Sequence, residues 1–203
     1  MNKTVELLNL WAEFEAKHKE AKIEEFCRYF LIKQRNKKDK VFSGTTVPPD
    51  NLSKLAKIIG RVSRLQNLYA VIALKECGLS GIDDFIYLND IHFAKKPPKT
   101  KIIYSNFNEL SSGLLILERL KKDKLIDFEQ NNSDKRSKTV RITAKGTKFL
   151  LTCYEKMNLV NQFFFSKMSE EEVLMSIQLL SETETEFSTR WFSDKSKSVE
   201  ELF

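Results

Sequence analysis

The chain has 203 residues, 41% hydrophobic and 31% charged. That is enough apolar material for one packed domain with a helical extension. No run approaches the roughly 18 consecutive apolar residues of a membrane span, and the opening MNKTVELLNLWAEFEAKHKE alternates apolar and charged residues without an h-region, so neither a transmembrane helix nor a secretory leader is expected. The three cysteines, Cys27, Cys77 and Cys153, are odd in number and far apart, which fits a reducing cytoplasm better than a disulfide framework. The net charge of +6 is unevenly spread: residues 95–148 hold fourteen Lys/Arg against six Asp/Glu, so this segment carries +8 and the remainder −2. A localised basic segment points either to a polyanion-binding surface or to a solvated lysine-rich face.

Taken in order, residues 3–38 have Leu7, Leu10, Trp11 and Phe14, then Ile23, Phe26, Phe30 and Leu31, at helical spacing, which predicts one long helix or a broken pair. KQRNKKDK and VFSGTTVPPD, with Gly44 and Pro48-Pro49, read as its end and a linker. Asp50 or Asn51 is a candidate cap for a helix running to Cys77, closed by Gly78. Helices are expected over 80–94, 100–107 and 111–122. LIDFEQ and SKTVRIT alternate apolar and polar residues around NNSDKR, the pattern of an antiparallel hairpin with a charged tip. A helix over 144–165 follows, then a capping box, Ser169 and Glu172, opens the last long helix. SDKSKSVEELF reads as a loosely held tail. The expected fold is mainly α with a small β-hairpin wing: an N-terminal helical extension (1–47), a winged-helix domain with dimerisation helices (48–187) and a C-terminal tail (188–203).

The order from residue 100 to 146 is helix, turn, helix, strand, charged tip, strand, helix. That is a winged helix-turn-helix, in which one helix enters the major groove, its predecessor braces it, and a cationic hairpin tip reaches phosphates or the minor groove. LERLKKDKLIDFEQNNSDKRSKTVRITAKG, Leu117 to Gly146, resembles the MarR (multiple antibiotic resistance regulator) family. Leu120, Leu125 and Ile126 match the family's L-E-K-K-G-L-I, Asp134 and Arg136 its wing D-x-R, and Thr143 and Gly146 its closing L-T-x-x-G. The resemblance spans about residues 51–187. It departs at Lys124, where the family commonly has Gly, at Leu115, often a polar or basic reader, and at Asn131, Asn132 and Ser133, where an acidic residue usually precedes the wing aspartate.

The resemblance implies a cytoplasmic, homodimeric, sequence-specific DNA-binding regulator, a repressor, acting on a pseudo-palindromic site. Its first and last helices would interlock, and a small hydrophobic or aromatic effector, or thiol oxidation, would relieve DNA binding. Arg136 is assigned to the wing tip and Asp134 to ordering the wing. Lys135 and Lys138 are phosphate candidates, as are Lys99 and Lys101 beside the N-terminus of the bracing helix. Ser111, Ser112 and Arg119 are candidate base contacts, and Leu115 a candidate contact to a thymine methyl; either serine could instead cap its helix. Leu114, Leu117 and Leu120 are expected in the core, and Cys77 and Cys153 as inert core thiols. Phe163-Phe164-Phe165, with Trp11 and Phe14, is expected at a subunit interface. His18 and His92 have no ligand cluster at metal spacing, and no Gly-rich phosphate loop, nucleophile elbow or triad is present, so no metal, cofactor or enzymatic activity is expected. The competing reading is a winged-helix protein-interaction module without sequence-specific DNA binding.

Overall fold

The computed structural model describes residues 2–35, 42, 45–130 and 138–202, the side chains at 32, 34 and 35 excepted. The chain divides into two compact units, residues 1–58 and 59–203. In the first, α1 (Lys3–Glu15) and α2 (Ile23–Arg35) form the broken pair that the periodicity allows. Asn2 caps α1 by accepting the Thr4 N–H at 2.9 Å. Trp11 and Phe14 are not left for a partner, as expected from the sequence, but fill this hairpin. Phe14 is buried and meets Phe26 and Tyr29 at ring separations of 5.7 and 5.1 Å, while Trp11 sets its edge on Phe26 at 5.1 Å. His18, in the turn after α1, stacks on Phe14 at 4.2 Å, so the ring cluster closes locally.

Helix α3 (Asn51–Cys77) begins in the first unit with Asp50 as its cap, accepting from the Ser53 amide at 2.9 Å and the Ser53 hydroxyl at 2.7 Å. It ends at Gly78, whose φ of 91° suits the left-handed exit that glycine alone adopts freely.

The second unit continues with α4 (Ile82–Ala94), α5 (Lys99–Ser105), α6 (Leu110–Lys122), β1 (Ile126–Gln130), β2 (Lys138–Ile142), α7 (Ala144–Phe164), α8 (Glu170–Asp194) and α9 (Val199–Leu202). The strands pair antiparallel with Phe128 opposite Val140 and Gln130 opposite Lys138. The segment before α5 joins this hairpin, since the Val140 N–H donates to the Pro97 carbonyl at 2.9 Å. The core gathers Tyr87, Leu88 and Ile91 of α4, Ile102 and Ile103 of α5, and Ile116, Leu117 and Leu120 of α6. Ala70 and Leu74 of α3, Leu79, Leu125, Ile126, Val140, Leu150, Cys153 and Met157 complete it. Each such buried apolar side chain contributes about 1.5–3 kcal/mol, and together they lock α6 into the domain.

Thr143 caps α7 by accepting the Gly146 N–H at 2.9 Å, and its hydroxyl donates to the Lys124 carbonyl at 2.8 Å. A Cβ on Gly146 would stand 2.1 Å from the Leu125 carbonyl oxygen, so the T-x-x-G close requires its glycine. Lys124 adopts φ 61°, so the left-handed turn usually given to glycine is kept by a lysine. The capping box of α8 forms as expected, with Ser169 and Glu172 satisfying each other's backbone. The proposed tail boundary at 188 falls inside α8, which runs to Asp194 because the stripe Phe187, Trp191, Phe192 prolongs its apolar face.

Candidate nucleic-acid interface

Helix α6 rests on α5 through Gly113, where a Cβ would be 2.5 Å from Cγ2 of Ile103. Close backbone approach at this glycine fixes the depth and tilt of α6. Ser111, Ser112 and Leu115 then face outward, Leu115 with 69% of its surface exposed. Neither serine caps the helix: α6 starts at Leu110 after Glu109, and the serines lie within its first turn. Leu117 and Leu120 are fully buried and Leu114 packs against the core, as expected.

Arg119 is engaged within the protein by Asp84. Its Nε donates to the two Asp84 oxygens at 2.9 and 3.1 Å, and its Nη2 bonds the same carboxylate. Asp84 is buried in α4 and also accepts the Ser80 N–H at 3.2 Å. The Asp84 carboxylate raises the Arg119 pKa above its ordinary value, chiefly through the hydrogen bonds. Arg119 therefore fastens α6 to α4. This pair was missed in the sequence, where Asp84 beside Asp83 reads as an ordinary acidic first turn of α4.

Lys99, at the start of α5, is likewise engaged. Its Nζ lies 3.3 Å from the Phe128 ring centroid and 3.4 Å from Glu118 Oε1. Burial pushes its ammonium pKa down, while Glu118 pulls the other way. Lys121 approaches the same ring at 4.6 Å, so Phe128 carries a cation–π pair that joins the wing base to α5 and α6. Arg141 binds Asp127 at 2.9 Å and Glu129 at 2.6 Å, and Lys96 reaches Glu129 at 2.8 Å. Lys101 and Lys138 are exposed and, among the described residues, form no ion pair. Asp134, Lys135 and Arg136 lie outside the described residues.

No family model and no curated protein matches the chain. Solved structures do. Wild-type MarR from E. coli is 18% identical, aligns over 69% of this chain and 98% of its own with a TM-score of 0.58. The chain has the MarR-type winged-helix fold. A mutant E. coli MarR complexed with operator DNA is 19% identical over 64% of this chain and 92% of its own, TM-score 0.59. A SlyA-like regulator from Listeria monocytogenes is 21% identical over 74% of this chain and 98% of its own, TM-score 0.60. In this MarR-type fold α5 and α6 are the helix-turn-helix and β1–β2 the wing. Among the described residues no helix is long and apolar enough to cross a membrane, and no cluster of His, Cys, Asp and Glu fits a metal ion.

Proposed function

We propose that the protein is a cytoplasmic transcriptional regulator that binds double-stranded DNA as a homodimer on a pseudo-palindromic site, acting as a repressor. The observation that carries this reading is the outward face of α6. It is seated by Gly113 and Arg119 and presents Ser111, Ser112 and Leu115, while Lys101 on α5 and Lys138 at the wing base are exposed. Hydroxyls suit base edges, an exposed leucine can meet a thymine methyl, and the exposed lysines suit phosphates.

A second copy is supported by the apolar faces of α3 and α8. Ile59, Val62 and Ile72 on α3, and Leu174, Ile177 and Leu180 on α8, are all exposed. A groove of about 510 Å³ runs between Val62, Phe165, Val173, Ile177 and Leu180. Monomers rarely leave such faces wet. Two interlocked copies would set their α6 helices about 34 Å apart, one turn of DNA.

Leu115 favours the second reading, a protein-binding winged helix, because a large apolar side chain sits at the centre of the recognition face. Anisotropy titration of duplex DNA from upstream of the coding gene, across a salt series, separates the two. A regulator gives a log–log salt slope of several charges and a preference for one duplex. Light scattering at micromolar concentration should give twice the chain mass; a monomer would remove the dimeric reading.

A further inference from the structure

We propose that the cleft walled by Phe107, Phe187 and Trp191, with Glu184 at its edge, binds a small organic cation of the substituted-ammonium class. Glu184, Phe187, Ser188 and Trp191 recur at three- and four-residue steps and so share one face of α8. Phe107 comes from the turn between α5 and α6. Together they line a cavity of about 370 Å³, the size range of small-ligand sites.

The chemistry of the walls selects the ligand. Aromatic faces carry negative quadrupoles and attract a cation placed over them, tryptophan most strongly. Glu184 supplies a formal negative charge, and among the described residues no cation pairs with it. The neighbouring basic groups already have partners. Arg190 bonds Glu186 and Asp194, each at 3.2 Å, and Lys195 lies 3.8 Å from Glu109. One of these rings already takes a cation of the protein itself: the Arg190 guanidinium stands 5.6 Å from the Phe187 centroid. An anionic ligand would meet ring faces, the Ser188 hydroxyl and the Glu184 carboxylate, with no cation among the lining residues. Phe107 holds φ 55°, a conformation disfavoured for a bulky side chain, and in it half its surface stays open on the cleft.

A ligand here would touch α8 and the turn that precedes the recognition helix at once. Phe192 already packs on Tyr104 at 5.6 Å across the same seam. The site therefore deepens the regulator reading by naming the class of molecule that would bias α6, and only that consequence rests on DNA binding.

The test uses the full chain carrying Trp11→Phe, which leaves Trp191 as the one tryptophan. Its emission is titrated with choline and with 3,3-dimethylbutan-1-ol, the uncharged isostere. Expected is a saturable change with choline, about tenfold weaker with the alcohol. Glu184→Gln should weaken choline about fivefold, and Phe187→Leu, with helical circular dichroism unchanged, should remove saturation. Equal response to both ligands, or no saturable response to choline, overturns the site, including the case in which a second copy covers the cleft. Choline saturation in protein that binds no duplex upholds the site and refutes the regulator reading, so the two fail separately.

Discussion

The Arg119 guanidinium on α6 is held by Asp84, a carboxylate buried in α4, through both oxygens. Removing one member of such a pair leaves the other charge uncompensated. Arg119→Ala should therefore lower unfolding stability by about 3 kcal/mol, the low end for buried pairs because the guanidinium is partly exposed. Arg119→Lys should recover only part, since an ammonium cannot reproduce the planar fork. Urea denaturation measures both. A lost duplex affinity with an unmoved midpoint would instead make Arg119 a base reader.

Two glycines set the geometry of the winged unit, and alanine at each should have a different cost. At Gly146 the new Cβ meets backbone, the Leu125 carbonyl oxygen at 2.1 Å; at Gly113 it meets Ile103 side-chain atoms at 2.5 and 2.6 Å and the Tyr87 hydroxyl at 2.8 Å. Gly113→Ala should cost about 1–3 kcal/mol and weaken DNA binding by tilting α6. Gly146→Ala should cost more, because backbone cannot step aside. The reverse ranking in thermal melts would contradict the packing described.

Lys124 holds a left-handed turn at φ 61°. Lys124→Gly should stabilise the protein by about 0.5–1 kcal/mol, the steric penalty relieved less the entropy glycine adds to the unfolded chain. An unchanged or lowered melting temperature would show that the lysine side chain compensates the strain.

Most of the fold was legible because it rests on short-range signals: apolar periodicity for the helices, alternation around NNSDKR for the wing, Asp50, Gly78 and the Ser169/Glu172 box for the ends. The site was only half legible. Position on α6 correctly marked Ser111, Ser112 and Leu115 as outward and Leu117 and Leu120 as inward. It could not reveal that Arg119 and Lys99 are drawn inward, because Asp84 and Phe128 are distant in sequence and meet them only after folding. Trp11 and Phe14 misled for the same reason: a ring stripe looks alike whether Phe26 or a second chain covers it.

The cysteines differ in what they can do. Cys153 is fully buried, and burial, then the neighbouring Cys77, push its thiol up to about 12. At pH 8 its thiolate fraction is then about one in ten thousand. Cys27 is exposed on α2. A disulfide reagent should modify Cys27 first, Cys27→Ser should abolish the fast phase, and Cys153 should react only in denaturant. Native-state modification of Cys153 as fast as that of Cys27 would show that the core opens there and would revive a redox role.

The wing is the remaining question. The Gln130–Lys138 register brings the hairpin ends together, and residues 131–137 join them. Arg136→Ala should weaken duplex binding because it deletes the cation assigned to the tip. If Arg136 contacts a phosphate, the salt slope falls by about 0.9 and all sequences weaken alike. If it enters the minor groove, A·T-rich flanks lose more than G·C-rich ones, since only the former narrow the groove. Asp134→Ala separates two further roles. Plain electrostatics predicts tighter binding when a carboxylate is removed near DNA, whereas a wing-ordering aspartate predicts weaker binding. Anisotropy across a salt series reads both variants. Tighter binding by Asp134→Ala together with parental binding by Arg136→Ala would overturn the wing assignment, and the basic segment would then require a partner other than DNA.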